Sequence, residues 1–506
     1  MLACVRTAAL FGIEACQVHV EVDVAFGLPS FTVVGLPDAG VRESRDRVRT
    51  AIRNSGFEFP AHRVTVNLAP ADIRKAGASF DLPIALGILA ATGLVSRRDV
   101  DDVLVIGELS LDGGIQAARG VLPIAAAARR ERLGGLLLPS RNRREASAVE
   151  GLALYPVCSL GEAVAALNDP AAFNPAPGLS DPPRVTQPEE DSDFADVFGQ
   201  ALARRALEIA AAGGHNTLMV GPPGAGKTMM ARRLGGILPP LTFDEAIEVT
   251  SIASVAGLLH PDGGLLTARP FRAPHHTISD VALVGGGSVP HPGEISLAHH
   301  GVLFLDEMPE FSRHVLEVLR QPLEEGCIRI ARAARTAVFP AGFMLVGAMN
   351  PCPCGYLTHP QRGCRCSPLQ IARYASRLSG PLRDRMDLTV AVSAVPARDL
   401  TEALPGEQSD AIRTRVVAAR ARQAARDGEG RLNARMRGRA LRVHARLDPP
   451  ARRLFDRALH KLSFSARGHD RLLRVARTIA DLDSAAVIGA DHVAEALQFR
   501  NDDAAA

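Results

Sequence analysis

The sequence predicts an α/β protein built on a doubly wound parallel sheet and completed by a helical C-terminal region. Three continuous apolar runs in the middle of the chain, Thr217–Val220, Val302–Leu305 and Phe343–Ala348, are typical of strands buried on both faces of a parallel sheet. In the first 168 residues, short β-branched runs mix with alanine-rich helical stretches. Beyond residue 409 the chain is rich in arginine and periodic in leucine, which indicates helices.

The chain divides into three predicted domains, in keeping with roughly 150 residues per domain. Residues 1–168 form the first α/β domain, and residues 169–193, rich in Pro and Asp, are expected to be an exposed linker. A second α/β domain spans residues 194–395 and a helical domain residues 396–506. In the first domain we expect strands at Gln17–Val24, Phe31–Val34, Arg63–Leu68 and Val103–Ile106, and helices at Val41–Asn54, Leu82–Ala91 and Gly120–Arg130.

The composition excludes disorder as the main state of the chain. Hydrophobic residues make up 47% and charged residues 22% of the 506 residues, as in ordinary folded proteins. No run of 18 apolar residues occurs, so the sequence predicts no transmembrane helix. The apolar N-terminal stretch is interrupted by Glu14 and is interpreted as a strand rather than a signal peptide. We therefore expect a cytoplasmic protein.

A glycine-rich loop between a strand and a helix carries the strongest motif. Strand Thr217–Val220 precedes the loop and helix Met229–Leu234 follows it, which is the context that a P-loop requires. Backbone N–H groups of such a loop surround the phosphates of ATP, Lys227 reaches the β and γ phosphates, and the Thr228 hydroxyl holds Mg²⁺. The predicted ATP-binding residues are Gly221, Pro222, Pro223, Gly224, Ala225, Gly226, Lys227 and Thr228.

Polar residues after the next two buried strands complete this predicted site. Asp306 and Glu307 follow Val302–Leu305; Asp306 is expected to hold Mg²⁺ and Glu307 to activate the attacking water as the general base. Asn350 follows the strand Phe343–Ala348, which lies between the other two motifs in a doubly wound sheet. We expect Asn350 to sense the phosphate and orient the water.

Four of the eight cysteines lie within fifteen residues of one another. Cys352, Cys354, Cys364 and Cys366 form a CxC…CxC pattern, and four thiolates suit a tetrahedral, structural Zn²⁺ site. His359 is an alternative ligand, and four reduced cysteines in a loop are the alternative to any metal site. Without a secretory signal, a disulfide framework is not expected.

The order of these motifs resembles the AAA+ ATPases, and the segments between them are more specific. They are similar to the magnesium-chelatase-like branch, and in particular to the YifB/ComM family of bacterial ATPases, over nearly the whole chain. The segments that carry the resemblance are Asp193–Gln200, Arg269–Thr277, Leu283–Gly287, Pro292–His299, Ser379–Leu388 and Arg477–Leu482.

The resemblance implies two catalytic arginines. Arg385 corresponds to the arginine finger, which completes the ATP site of a neighbouring subunit, with Arg383 as the second choice. Arg467 is similar to the second sensor arginine on the helical lid. Arg471 and Arg474 lie at helical spacing from Arg467 and are alternatives to it.

The chain between Thr228 and Asp306, 78 positions, is longer than one helix and one strand require. We interpret the excess as an inserted hairpin that faces a central pore, with its Gly285–Gly287 turn touching the substrate. A metal site is the alternative, because the segment is rich in histidine. The histidines are His275, His276, His291, His299 and His300.

The first domain resembles the proteolytic domain of the Lon proteases, which use a serine nucleophile and a lysine base. Ser79 lies in a segment that roughly matches the serine motif. The later segment, Gly113–Ala118, offers no lysine, and Lys75 is too close in sequence to take that role. We therefore predict no peptidase activity and expect an interaction or nucleic-acid-contacting module.

Positive charge is concentrated near the C-terminus. Residues 411–480 contain 19 basic and five acidic side chains, a net +14 in a chain of net +3. Such a concentration suits phosphate backbones, although a solvated helical face is the alternative. The family resemblance favours DNA, because ComM-like proteins are associated with natural transformation and act as hexameric helicases in branch migration. A chelatase-type or regulatory ATPase that remodels a partner protein is the other hypothesis.

Overall fold

The computed structural model describes residues 1–71, 75, 77–95, 102–169, 193–260, 263–287, 290–331, 336–359, 361–394, 406–428, 430–462 and 465–500. The predicted linker at 169–193 lies outside the described residues except for its two ends. The predicted boundary between residues 395 and 396 lies outside them too.

A mixed sheet organises the first part of the chain. Its seven strands are β1 (Leu2–Phe11), β2 (Glu14–Ala25), β3 (Ser30–Val34), β4 (Arg63–Ala69), β5 (Val103–Val105), β8 (Gly135–Pro139) and β9 (Ala153–Val157). A separate short pair consists of β6 (Glu108–Leu109) and β7 (Ile115–Gln116). The order in the sheet is β3-β4-β2-β1-β5-β8-β9. β2 pairs antiparallel with β1 and with β4, and the other neighbours are parallel.

Helices cover this first sheet at the places that the sequence predicts. Asp38 Oδ1 accepts the Val41 N–H at 2.8 Å, so the first helix starts two residues earlier than the pattern alone indicates. The predicted strands and the N-terminal strand are confirmed, with ends that differ by a few residues. The helices are α1 (Ala39–Asn54), α2 (Asp81–Ala91), α3 (Val121–Arg130), α4 (Arg143–Ala146) and α5 (Leu160–Asn168).

A five-stranded parallel sheet forms the centre of the molecule. Its strands are β10 (Thr217–Val220), β11 (Phe271–Arg272), β14 (Val302–Leu305), β17 (Met344–Met349) and β18 (Leu388–Ala391). Two short antiparallel pairs are separate from it: β12 (Gly285–Gly286) with β13 (His291–Pro292), and β15 (Cys327–Ala331) with β16 (Thr336–Pro340). The order is β11-β14-β17-β10-β18. Every residue of β10, β14 and β17 is buried, as predicted for strands covered on both faces.

The two helices that follow β10 begin in different ways, and the first of them has no side-chain cap hydrogen bond. The helix after β10 starts at Lys227, and the next helix is closed by a capping box between Thr242 and Glu245. They are α6 (Ala201–Gly213), α7 (Lys227–Ile237), α8 (Phe243–Ala256), α9 (Asp280–Val284), α10 (Glu294–Leu297), α11 (Arg313–Val318), α12 (Arg320–Glu325), α13 (Pro368–Ala375) and α14 (Gly380–Arg383).

The C-terminal region is helical, as its leucine periodicity predicts. Apolar side chains such as Ile412, Val416 and Ile479 join one core with Leu207 of α6, so these helices pack directly onto the central sheet. Asp481 is buried and pairs with Arg426 and Arg477. The helices are α15 (Ser409–Asp427), α16 (Gly438–His444), α17 (Pro449–Leu462), α18 (Ala466–Leu482) and α19 (Ala490–Gln498).

The segment that contains the first sheet contacts the segment that contains the central sheet at two places. Phe11 and Ile13, at the turn between β1 and β2, pack against a core that contains Phe339 of β16. On the other side, buried Glu145 of α4 accepts the Leu122 N–H at 2.8 Å and contacts the hydroxyl of Ser254 in α8. Burial raises the pKa of Glu145. No helix in the described part of the chain is long and apolar enough to cross a membrane.

Candidate ATP site and its arginines

The strand order brings three sequence motifs to one edge of the central sheet. β17 lies between β14 and β10, and all three run parallel, so their carboxyl ends point the same way. Asp306 follows β14, Asn350 follows β17 and the glycine-rich loop follows β10. The expectation that Asn350 lies between the other two motifs agrees with this order.

Glycine is required at two points of the loop by the backbone itself. A Cβ on Gly221 would lie 2.1 Å from the Val392 carbonyl oxygen of the neighbouring strand segment. Gly226 has a φ of +84° and forms the left-handed cap from which α7 starts. The loop therefore turns tightly and aims the N-terminus of α7 at the same space as the strand ends.

Lys227 lies at the floor of this site. Its ammonium donates to the carbonyl oxygens of Gly221 at 2.6 Å and Pro222 at 2.9 Å, and to Asn350 Oδ1 at 3.2 Å. Burial lowers the pKa of Lys227, while the nearby carboxylates of Asp306 and Glu307 favour its charged form. The ammonium is thus held between the loop and Asn350, within reach of an anion in the loop.

A hydroxyl and a carboxylate from separate elements meet beside the lysine. Thr228 Oγ1 donates to Asp306 Oδ2 at 2.6 Å, and Asp306 Oδ1 accepts the N–H of Glu307 at 2.9 Å. A hydroxyl and a carboxylate are oxygen ligands of the kind that Mg²⁺ prefers, so the donor set fits this ion. Glu307 has a φ of +48° and its side chain is 58% exposed. This backbone turn points the Glu307 carboxylate into the open part of the site.

One histidine near the site was not predicted as part of it. His276 Nδ1 lies 4.0 Å from Glu307 Oε2, and its ring packs edge-on against Phe311. His276 comes from the loop after β11, in the inserted segment between Thr228 and Asp306. Because the two residues are far apart in sequence and no motif links them, only the fold reveals this proximity.

A cavity of about 430 Å³, called the phosphate cavity below, is lined by six of the eight predicted residues of the glycine-rich loop. Neither Arg385 nor Arg467 lines it. The residues that line the cavity are Pro223, Gly224, Ala225, Gly226, Lys227, Thr228, Met229, Asp306, Glu307, Met349 and Asn350.

The two predicted catalytic arginines lie outside this cavity, next to the same glutamate. Arg385 Nη2 contacts Glu324 Oε1, and Arg467 Nη2 lies 3.8 Å from the same oxygen. Both arginines line a second cavity of about 720 Å³ between α12 and the C-terminal helices. The structure therefore divides the predicted site residues of one chain into two separate groups.

The alternative arginines have structural partners. Arg383 Nη2 contacts the Ala375 carbonyl oxygen. Arg471 donates to the Met386 carbonyl oxygen at 2.7 Å, and Arg474 to that of Ala434 at 2.6 Å. Arg467 is 64% exposed, so among the three candidate sensor arginines of α18 it is the one whose side chain faces outward.

The four clustered cysteines converge after Asn350. Their Sγ atoms lie within 4.8 Å of one another, and the separations of Cys352 from Cys354 and Cys364 are 3.4 and 3.7 Å. Four thiolates at about 2.3 Å around Zn²⁺ would be roughly 3.8 Å apart, so the group fits a tetrahedral metal. Backbone N–H groups, that of Tyr356 first, lower the pKa of Cys354 to about 6.

His359 is not part of this sulfur group in the described residues. Its Nδ1 accepts backbone N–H groups of Gln361 at 3.1 Å and Arg362 at 3.0 Å. The loop itself abuts the glycine-rich loop, since a Cβ on Gly355 would lie 2.6 Å from Pro223 Cδ.

Two histidines of the inserted segment share one carboxylate. Glu248 Oε2 lies 2.8 Å from His299 Nε2 and 2.9 Å from His300 Nε2. His299 Nδ1 accepts the Gly342 N–H at 2.8 Å, so a neutral His299 carries its proton on Nε2 and donates it to Glu248. Burial lowers the pKa of His299, and the hydrogen bond from His299 lowers that of Glu248. A protonated Nε2 cannot bind a metal, so hydrogen bonding explains this trio.

The inserted segment contains a short hairpin, β12 and β13, but Gly285 and Gly286, which were predicted to form its turn, belong to strand β12. Gly285 pairs with Pro292 and Gly286 with His291. Residues 288–289, between the two strands, lie outside the described residues.

Much of the C-terminal positive charge serves the fold. Of the 19 basic residues in 411–480, eight bond main-chain carbonyls or acidic side chains within the fold: Arg413, Arg415, Arg420, Arg422, Arg426, Arg471, Arg474 and Arg477. The other eleven are exposed, although Arg437 and Arg457 among them also donate to main-chain carbonyls. They are Arg431, Arg435, Arg437, Arg439, Arg442, Arg446, Arg452, Arg453, Arg457, Lys461 and Arg467.

Family models match three parts of the chain. The model described as magnesium chelatase, subunit ChlI, matches residues 193–400, which contain every residue that lines the 430 Å³ cavity. Subunit ChlI of Mg-chelatase matches residues 20–142, and the C-terminal model of the same subunit matches residues 406–500. The parallel sheet, its glycine-rich loop and its acidic strand end define a magnesium-chelatase-like AAA+ protein, a class of ATPases that use ATP and Mg²⁺ and are commonly oligomeric.

Comparison with individual proteins shows which family within the magnesium-chelatase-like AAA+ class the chain matches over nearly its whole length. The chain is 43% identical over 508 residues to YifB of Salmonella typhimurium, covering 99% of this chain and 97% of that protein. It is 44% identical over 503 residues to competence protein ComM of Haemophilus influenzae, with the same coverage. The magnesium-chelatase 38 kDa subunit of Rhodobacter capsulatus is 26% identical over 325 residues, 59% of this chain and 84% of that subunit. The chain belongs to the YifB/ComM family.

Family membership and the AAA+ fold class are thus confirmed. The resemblance of the first domain to Lon proteases stays a prediction.

Proposed function

We propose that this protein is an ATP-driven ring motor that acts on DNA, a ComM-like helicase for branch migration in recombination and natural transformation. The observation that carries the proposal is the separation, within one chain, of the phosphate cavity from Arg385 and Arg467. A site whose arginines lie on another face is completed when a second copy docks there. Repetition of that head-to-tail contact closes a ring, for which we propose six subunits.

The residues at the strand ends have distinct roles in ATP hydrolysis. Lys227 neutralises charge on the β and γ phosphates, while Thr228 and Asp306 would hold Mg²⁺, which would screen the phosphate oxygens. Glu307 accepts the proton of the attacking water, because its carboxylate is exposed at the mouth of the cavity. Asn350 lies 3.2 Å from Lys227 Nζ and positions the water and the γ phosphate together.

Arg385 and Arg467 act on the ATP of the neighbouring subunit. Charge accumulates on the γ phosphate in the transition state, and a guanidinium that reaches it from the neighbour stabilises that charge. Arg385 follows the short helix α14 and Arg467 opens α18, so the two reach the shared interface from the core and from the C-terminal helices.

The proposed DNA contact rests on charge and on similarity to ComM. The eleven exposed basic residues near the C-terminus supply positive charge suited to phosphates, and few aromatic side chains accompany them in the sequence. Contacts to the backbone rather than to bases are therefore proposed, with the β12–β13 hairpin as a second contact.

The alternative function is a chelatase-type or regulatory ATPase that remodels a partner protein. The observation in its favour is the similarity to the magnesium-chelatase 38 kDa subunit of Rhodobacter capsulatus. ATP turnover that responds to DNA separates the two functions.

We also propose that the cysteine cluster binds one structural Zn²⁺. The four Sγ atoms already lie at separations close to those of a tetrahedral site. Since the loop touches Pro223, the metal would stiffen one wall of the ATP site. For the first domain we propose a role in interaction without peptidase activity, as the missing lysine in Gly113–Ala118 indicates.

Substitutions at Lys227 and Glu307 should separate ATP binding from hydrolysis. Lys227→Ala is expected to lose ATP binding, because the lysine neutralises phosphate charge in the ground state. Glu307→Gln is expected to bind ATP and to lower kcat by about 10²–10⁴-fold, because the glutamate acts only on the attacking water. Nucleotide-binding and steady-state ATPase assays check both, and normal turnover by Glu307→Gln would disprove the general-base role.

Mixtures of two inactive variants should recover activity if the arginine acts between subunits. Arg385→Ala is expected to lower kcat by about 10³-fold or more while its own ATP binding stays unchanged. Mixed with Glu307→Gln, it should regain hydrolysis where an intact Arg385 meets an intact Glu307. The control mixture contains Arg385→Ala and the double variant Glu307→Gln/Arg385→Ala, which offers no intact finger. Equal activity of the two mixtures would contradict the shared site.

Metal analysis should find about one Zn²⁺ per purified chain, from the four-thiolate stoichiometry. Replacing Cys354 and Cys364 with serine should remove the zinc and lower ATPase activity, whereas Cys327→Ser, outside the group, should change neither. A folded, reduced sample without zinc would argue directly against the site.

DNA should stimulate ATP hydrolysis, and DNA affinity should fall steeply with salt. Each phosphate contact contributes a slope of roughly −0.7 to −0.9 in a plot of log affinity against log salt. Replacing exposed Arg452 and Arg453 with glutamine should weaken binding and flatten that slope. The control pair Arg129 and Arg130, exposed in the first domain, removes the same charge and should have a smaller effect. If DNA neither binds at low salt nor alters turnover, the protein-remodelling function is favoured.

A further inference from the structure

Glu324 is the residue on which both predicted catalytic arginines converge. It lies in the last turn of α12, and its Oε1 contacts Arg385 Nη2 and lies 3.8 Å from Arg467 Nη2. The backbone of the same residue accepts a hydrogen bond from Arg437 at 3.3 Å. Three guanidinium groups from three separate segments thus meet at one glutamate.

The contact with Glu324 satisfies Arg385 only in part. Arg385 Nη1 donates to the Pro381 carbonyl oxygen at 2.5 Å, and Nη2 contacts Glu324. The Nε of Arg385 is buried and has no hydrogen-bond partner in the described part of the chain. Guanidinium groups bind carboxylates and phosphates best through two parallel N–H donors. The carboxylate of Glu324 does not use the paired Nε and Nη2 edge in this way.

The surroundings of Glu324 are open and rich in positive charge. Glu324 and Arg385 line both the 720 Å³ cavity and an adjacent cavity of about 420 Å³. In the larger cavity, Arg471 and Arg474 face the carboxylates of Asp384 and Asp387 at 3.6 and 3.7 Å. The remaining guanidinium groups there, those of Arg385, Arg435, Arg437 and Arg467, outnumber by one the remaining carboxylates, which are those of Glu324, Glu325 and Asp470.

We propose that Glu324 holds the arginine finger in a resting position and competes for it with the γ phosphate of a neighbouring subunit's ATP. The inference rests on the proposed function, since it requires Arg385 to act between subunits. A phosphate carries more negative charge than one carboxylate, and it offers oxygens to both Nε and Nη2 once Arg385 leaves Glu324 and its buried Nε becomes accessible. An ATP molecule delivered by the neighbour therefore displaces Glu324, and Glu324 recovers the finger after hydrolysis.

This arrangement gives Glu324 an effect opposite to that of a supporting residue. A carboxylate that orients the finger for catalysis would be needed for turnover, so its removal would lower kcat. A carboxylate that competes with the phosphate slows the engagement of the finger, so its removal raises kcat and favours ATP-dependent assembly. Glu324 is 46% exposed, which limits the strength of the ion pair and makes the exchange feasible.

The test uses Glu324→Gln in the full-length chain, with Glu325→Gln as the matched control. Glu325 is the next residue of α12 and lies 3.6 Å from Arg329. Glu324→Gln is expected to raise kcat about two- to five-fold, the range for a partly exposed ion pair, while the control stays at the wild-type value.

In the Glu307→Gln background, Glu324→Gln should lower the protein concentration at which ATP drives assembly, measured by mass photometry. Adding Arg385→Ala should abolish this difference, which a general structural effect of Glu324 would leave in place.

A fall in kcat with unchanged ATP binding would overturn the proposal and make Glu324 a supporting residue. Unchanged kcat and unchanged assembly would overturn it too. If Arg385→Ala alone keeps wild-type turnover, the proposed function fails at the finger itself, and that outcome is distinct from a failure of the competition by Glu324. Thermal unfolding of each variant shows whether the chain remains folded, and Glu324→Asp, which keeps the charge, should stay closer to the wild type than Glu324→Gln.

Discussion

The position of β17 between β14 and β10 decides which side chains can meet at the phosphate site. Parallel strands end at the same edge of a sheet, so this order places Asp306, Asn350 and the glycine-rich loop side by side. The hydrogen bonds of Lys227 with Asn350 and of Thr228 with Asp306 follow from that placement. Apolar burial on both faces keeps the strands in order, because each of the three strands is buried along its whole length.

Within one chain, the phosphate-binding cavity and the two predicted catalytic arginines lie apart. Arg385 follows α14 and lies on Glu324, while the phosphate cavity opens at the strand ends. The C-terminal helices pack onto the core through α15 and α18 and add Arg467 to the arginine face. A chain with a phosphate site on one face and its arginines on another is suited to head-to-tail assembly, in which every subunit completes the next.

Local patterns predicted the elements whose determinants are local. The predicted strand Thr217–Val220 has the same ends in the structure, and the strand before Asn350 lies one residue later than predicted. A continuous apolar run bounded by turn residues defines a strand without reference to the rest of the fold. The proximity of His276 to Glu307 and the convergence on Glu324 depend on contacts between distant segments and left no signal in the sequence.

The count of charged residues was the least reliable predictor of which arginines have a functional role. In the sequence, Arg471 and Arg474 are alternative sensor arginines and belong to the segment 411–480 of net charge +14. In the structure, each donates a hydrogen bond to a main-chain carbonyl oxygen of the fold. Composition counts a buried structural arginine and an exposed one alike, since both have the same formal charge. Only the packing of α18 separates Arg467, which faces outward, from its two neighbours along the helix.

The most direct measurement of the shared site is the position of Arg385 in an assembled, ATP-bound Glu307→Gln protein, determined by electron cryo-microscopy. With ATP and Mg²⁺ trapped in the phosphate cavity, the Arg385 guanidinium should lie about 3 Å from the γ phosphate of the neighbouring subunit. An ATP-bound protein that remains monomeric would contradict a site built from two chains. So would a ring in which every group that contacts the γ phosphate comes from the subunit that binds it.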